Sequence, residues 1–134
     1  MYLSQPDRLL AELVRLARPG ALLSILTVNP DAVAMRSGLQ GRWRDTIDQL
    51  HGTAPVDGQY QLGEAHSLQA VSAFLTSAGA PVLGWHGVGI FTDHITEEIR
   101  VPNPAEIMLA EWLAGIRDPY RQIARCCHLV AQRG

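Results

Sequence analysis

The segment Ala21-Leu-Leu-Ser-Ile-Leu-Thr-Val28 constrains this chain more than any other. It contains no charge, proline or glycine, and its apolar side chains fall on both odd and even positions. A strand here therefore has two apolar faces, as in a parallel strand covered by helices on both sides. With Gly20 the run reaches about half the length a membrane span needs.

The flanking sequence alternates between helical and extended patterns with short connections, which is the signature of an α/β sheet. A first helix is expected over Pro6–Ala17, with Leu9, Leu10, Leu13, Leu16 and Ala17 as its apolar stripe. Ser4 would cap it, and Arg18-Pro-Gly20 would stop it. Asn29-Pro-Asp31 ends the first strand and opens a weakly apolar helical stretch to Leu50, interrupted at Gly38 and Gly41. Residues 52–66 read as a loop, so 30–66 together form a helical cap and loop insertion. Ser67 caps a third helix carrying Leu68, Val71, Phe74 and Leu75, and Gly79 closes it. A strand over Pro81–Phe91, a helix over Pro104–Ile116 with Ile107, Met108, Trp112 and Leu113 inward, and a last strand over Cys126–Gln132 complete the pattern.

The 134 residues suit one domain, and an apolar share of 47% is that of a globular chain. A net charge of -2 supplies no global field to gather nucleic acid. Met1-Tyr-Leu-Ser-Gln-Pro-Asp7 has no basic region and no signal-peptide core, which predicts a cytoplasmic protein. Cys126 and Cys127 are sequence neighbours and point to opposite faces of a strand, so two reduced thiols are expected. Gly87-x-Gly89 is followed by Phe91-Thr-Asp93 and no helix, which argues for close packing rather than a dinucleotide loop. His86, His94 and His128 with Asp93 match no zinc spacing, so no metal site is expected. Arg36, Arg42 and Arg44 around Trp43 fit a solvated face, or a contact with phosphates and a base.

Three segments carry a family likeness. Leu16-Ala-Arg-Pro-Gly-Ala-Leu-Leu-Ser-Ile25 resembles the helix-turn-strand that forms the fifth strand of class I, Rossmann-like S-adenosylmethionine-dependent methyltransferases. Trp85-His-Gly-Val-Gly-Ile-Phe-Thr-Asp93 resembles the long sixth strand of one subgroup, the tRNA 5-carboxymethoxyuridine methyltransferases. Asp118-Pro-Tyr-Arg-Gln-Ile-Ala-Arg-Cys-Cys-His128 is similar to that subgroup's final helix-to-strand passage. The resemblance implies that residues 1–134 are a single partial domain, the C-terminal half of such a fold. Its sheet would be three-stranded and mixed, in the order 5-7-6, flanked by helices.

The same resemblance implies methyl transfer from S-adenosylmethionine to a modified tRNA uridine or a small carboxylate-bearing molecule. The glycine-rich loop and ribose-binding acid of strands one to four have no counterpart here. No cofactor-binding residue is therefore assigned, and the isolated chain is expected to be inactive and not to bind S-adenosylmethionine alone. On the acceptor side the candidates are Asn29, Tyr120 and Arg125. Asn29 ends the first strand at the edge where ligands bind in open α/β sheets, or else caps the next helix. Arg125 would grip a carboxylate through two hydrogen bonds, or form a structural ion pair. Tyr120 belongs to the same passage, with helix packing as its alternative. Cys126 stands where the subgroup has an aromatic residue, so stacking on a base is lost. The alternative is a non-catalytic module that dimerises or serves a cofactor-binding partner chain through the edge of strand 21–28.

Overall fold

A computed structural model describes residues 6–53, 67–95 and 103–134. Ser4, residues 54–66 of the expected loop and residues 96–102 lie outside that description. The elements are α1 (Pro6–Leu16), β1 (Leu22–Val28), α2 (Met35–Leu39), α3 (Trp43–Leu50), α4 (Leu68–Ser77), β2 (Val82–Val88), α5 (Pro104–Gly115) and β3 (Cys126–Gln132). Short 3-10 turns over Pro30–Ala32 and Tyr120–Ile123 lead into α2 and β3.

The architecture is mixed α/β, a three-stranded sheet flanked by helices. The expected mixed sheet labelled 5-7-6 is corrected to an antiparallel one in the order β1-β3-β2. The reason is positional. β1 and β2 each pair with β3 and run opposite to it, and they never touch each other, so no parallel ladder exists among the described residues. Ile25 faces Leu129 in one ladder and His86 faces His128 in the other, with the register slipping between Val82 and Gly84.

Helices cover one face of the sheet. Leu10 and Val14 of α1 and Val71 and Leu75 of α4 pack on Ile25, Cys127, Leu129 and Ala131. Ser67 caps α4 by accepting a hydrogen bond from the Ala70 amide at 3.1 Å. The expected α1 stripe is corrected in part. Leu10 and Val14 are buried, whereas Leu9, Leu13 and Leu16 are at least partly exposed, Leu16 at 68%. The core direction of α1 bisects positions 10 and 14, leaving the other leucines on a lateral flank.

The opposite face carries Leu22, Ser24, Leu26, His86, His128 and Val130. Leu22 remains 64% exposed and Leu26 54%. The reading of β1 as a strand buried on both faces is therefore corrected: its second face lacks a covering helix among the described residues. At the centre of this face Ser24 Oγ and His128 Nε2 share a hydrogen bond of 2.7 Å. The His86 ring stacks on Trp112 of α5 with centroids 5.4 Å apart.

The inward face of α5 also differs from expectation. Met108 and Trp112 are exposed, and the buried positions are Ala114 and Gly115. A helix brought onto a strand through glycine sits too close for large side chains at the contact itself, and Trp112 packs beside it on His86, largely exposed.

Candidate functional site

The carboxyl ends of β1 and β2 lie side by side, with β3 starting between them. All three residues singled out from the sequence fall at this end. The Asn29 amide donates to the Arg125 carbonyl at 3.0 Å, which continues the β1–β3 ladder by one residue. The Arg125 amide donates to the Gly89 carbonyl at 3.2 Å, which ties in the end of β2. Tyr120 stands to one side, about half exposed, with its ring centroid 6.3 Å from that of Phe91.

Asn29 is buried at 4% exposure. Its Nδ2 donates to the carbonyls of Gln122 at 2.9 Å and Ala124 at 3.0 Å, and its Oδ1 accepts from the Asp31 amide at 3.1 Å. Both amide protons are thereby used inside the protein, so the side chain acts as a clasp between the end of β1 and the turn before β3. One lone pair of Oδ1 is all it retains for a ligand.

Arg125 is nearly buried, with 11% of its side chain exposed, and its Nε lies 3.8 Å from Asp93 Oδ1. Around this pair Arg36, Asp93, His94 and Arg125 line a recess of about 10 Å³, the room of a single water. A carboxylate gripped by Arg125 must displace the Asp93 contact and widen this recess.

The turn that presents Asp93 is held by Glu111 of α5. Its carboxylate accepts from the amides of Ile90, Phe91 and Thr92, each at 2.9 Å, and from the Thr92 hydroxyl at 2.7 Å. Three successive amides aimed at one carboxylate form an anion-binding concavity filled by an internal side chain. Burial acts to raise the Glu111 pKa, but the hydrogen bonds from Ile90, Thr92 and Phe91 outweigh it and hold the carboxyl below its ordinary value. The sequence reading missed Glu111. Its one signal was a carboxylate among the apolar residues of the α5 pattern, which periodicity alone treats as a solvated position.

The cap beside this end encloses an apolar groove of about 360 Å³, with Ala32, Met35, Leu39, Trp43 and Leu50 in its wall and Asp31 at its margin. The cap is held by Ser37, whose hydroxyl donates to Gln49 Oε1 at 2.6 Å and accepts from the Thr46 hydroxyl at 3.0 Å. Arg42 pairs with Asp45 at 2.6 Å, so one of the three arginines around Trp43 serves the helix itself.

Neither Cys126 nor Cys127 forms a disulfide. Burial raises the pKa of Cys126 and pushes that of buried Cys127 up to about 11, the neighbouring Cys126 and then Asp31 adding to the effect at Cys127. Neither is a poised nucleophile at neutral pH. Among the described residues no group of three His, Cys, Asp or Glu side chains is arranged to hold a metal ion, and no helix is long and apolar enough to cross a membrane.

The end of the sheet thus offers a buried guanidinium, a saturated asparagine clasp, an exposed tyrosine and an adjoining apolar groove. Such a set can orient a ligand bearing an anionic group. It contains no nucleophile–base pair, so any chemistry here would rest on positioning. Comparison with known proteins returns no matching family model and no matching curated protein.

Proposed function

We propose that the chain is the acceptor-side part of an S-adenosylmethionine-dependent methyltransferase of Rossmann-like fold, acting on a modified tRNA uridine or a small carboxylate-bearing molecule in the cytoplasm. The observation that carries this reading is the incomplete cover of β1. Helices α1 and α4 pack on one face and α5 lies against β2 on the other, while among the described residues the second face and the outer edge of β1 are left uncovered, as in a sheet that continues into further strands and helices. Arg125, Asn29 and Tyr120 gather at the carboxyl end of the strands, the side on which open α/β sheets bind ligands. In this reading Arg125 holds the anionic group of the acceptor, Tyr120 borders it, and Asn29 fixes the strand end. S-adenosylmethionine supplies the methyl group and would be held by a cofactor-binding part outside these 134 residues.

Deletion of the gene in the source cell tests this. Mass spectrometry of tRNA nucleosides and of small carboxylic acids should show one methylated species lost, restored by the wild-type chain and not by Arg125→Ala. Unchanged profiles for both pools would overturn the reading.

A second reading, a non-catalytic dimerising or partner-binding module, is favoured by the same uncharged β1 edge. It predicts unchanged methylation in that experiment.

A further inference from the structure

From the geometry of β1 we infer that its open edge pairs with the β1 edge of a second copy of this chain, in an antiparallel register centred on Ile25. The inference does not depend on the methyltransferase reading and concerns the chain by itself: a cofactor-binding part that continued the sheet would take the same β1 edge in place of the second copy. Asn29 donates to the Arg125 carbonyl and Arg133 donates to the Ala21 carbonyl, so the odd-numbered residues of β1 exchange their backbone bonds with β3. The amides and carbonyls of Leu22, Ser24, Leu26 and Val28 therefore point the other way, toward an edge that no described strand occupies.

An antiparallel strand satisfies these groups only if its own outward-pointing residues stand opposite them. A second β1 does so when Leu22 faces the partner's Val28 and Ser24 faces the partner's Leu26. Ile25 then lies on the two-fold axis opposite its own copy. This register uses the whole length of β1 and leaves none of its outward backbone groups unpaired. The contact is isologous and closes on itself, which gives a dimer rather than a fibre. No charge, proline or lysine on the edge opposes it.

Features beside the edge agree. A connection from β1 through α4 to β2 of the usual right hand would set α4 to one side of α1. By helical spacing the flank of α1 with Leu9, Leu13 and Leu16 then faces past β1, on the same side as the open edge. A two-fold axis normal to the sheet brings the two α1 helices together, antiparallel, with these leucines between them. The two helix dipoles are then opposed. On the other face Leu22 and Leu26 would form one apolar row with the partner's.

Sedimentation equilibrium of the full chain from about 1 to 100 µM tests the inference, with circular dichroism to monitor folding. The wild type should behave as twice 14.6 kDa. Leu26→Pro deletes an outward amide and no bond to β3, and should give a folded monomer. Leu16→Glu places a charge on the α1 flank away from any ladder and should weaken association at least tenfold. Should Leu26→Pro fail to fold, Leu16→Glu decides alone. A wild-type monomer throughout, an open polymer, or a dimer indifferent to Leu16→Glu would overturn the inference. Titrating the same samples with S-adenosylmethionine keeps the two readings apart, since dimerisation is expected without the cofactor.

Discussion

Gly115 of α5 lies against Gly87 of β2 so closely that a Cβ on Gly115 would stand 2.6 Å from the Gly87 carbonyl oxygen. The contact is backed from the other side: a Cβ on Gly87 would meet Arg121 Cα at 2.7 Å and Ala124 Cβ at 2.8 Å. Backbone atoms cannot yield as a flexible side chain can. Gly115→Ala and Gly87→Ala should each destabilise the fold by about 1–3 kcal/mol or more. Gly84→Ala, whose Cβ would meet nothing within 4 Å, is the control. Urea midpoints measure all three, and equal midpoints for Gly84→Ala and Gly115→Ala would count against so tight a seam.

Glu111 should couple stability to pH. Its carboxyl titrates below its ordinary value in the folded chain, so the stabilisation is fully present above the unfolded value of about 4.3. It is lost as pH falls through the lowered folded value. Glu111→Gln should cost about 1.5–3 kcal/mol at pH 7, the worth of hydrogen bonds to a charged group. Its difference from wild type should shrink on acidification to pH 3. A difference independent of pH would mean that the charge is not what holds the 90–92 turn.

The Cys127 thiol should resist alkylation at pH 7–8 until the chain unfolds, because burial disfavours its thiolate. Its folded pKa of about 11 lies above that of an unfolded cysteine. The associated stability is therefore complete below about 8.5 and lost as pH rises toward the folded value. Counting thiols with Ellman's reagent, with and without guanidinium, checks this. Rapid labelling of Cys127 in the folded chain would contradict its burial.

Arg125→Ala, in the presence of whatever chain supplies the cofactor site, should weaken acceptor binding by about 1.5–3 kcal/mol, or roughly 10- to 150-fold. S-adenosylmethionine should bind the chain by itself with a dissociation constant above about 100 µM. Isothermal titration reads both quantities. Low-micromolar cofactor affinity, near -8 kcal/mol, would require a site unlike the one proposed. Unchanged acceptor affinity in a destabilised Arg125→Ala would make the Asp93 contact purely structural.

Much of the fold was legible because its signals are local. The apolar run over 22–28, the serine cap at Ser67 and the glycine closing α4 are each written within a few residues, and β1, α4 and β3 fall where the pattern puts them. What stayed hidden depends on contacts distant in sequence. Val14 rather than Leu13 enters the core because the sheet sets the roll of α1. Trp112 lies exposed over His86 while Gly115 makes the close contact with Gly87, a pairing no window of one helix contains. At the candidate site Asn29 was readable as a strand end, whereas Arg125 was singled out only through the family resemblance. The two carbonyls that saturate Asn29 and the amides that bind Glu111 come from segments separated by 19 to 95 residues.

The central place of β3 also bears on the order of events during synthesis. Both ladders run through residues 126–132, so a ribosome that has completed β1 and β2 has produced two strands with no mutual hydrogen bonds. No part of the sheet can close until that segment clears the exit tunnel. Until then α1 and α4 have only each other and two unpaired apolar strands to bury against. The interval before β3 emerges is thus the stage at which this chain is most open to chaperones and to non-native pairing.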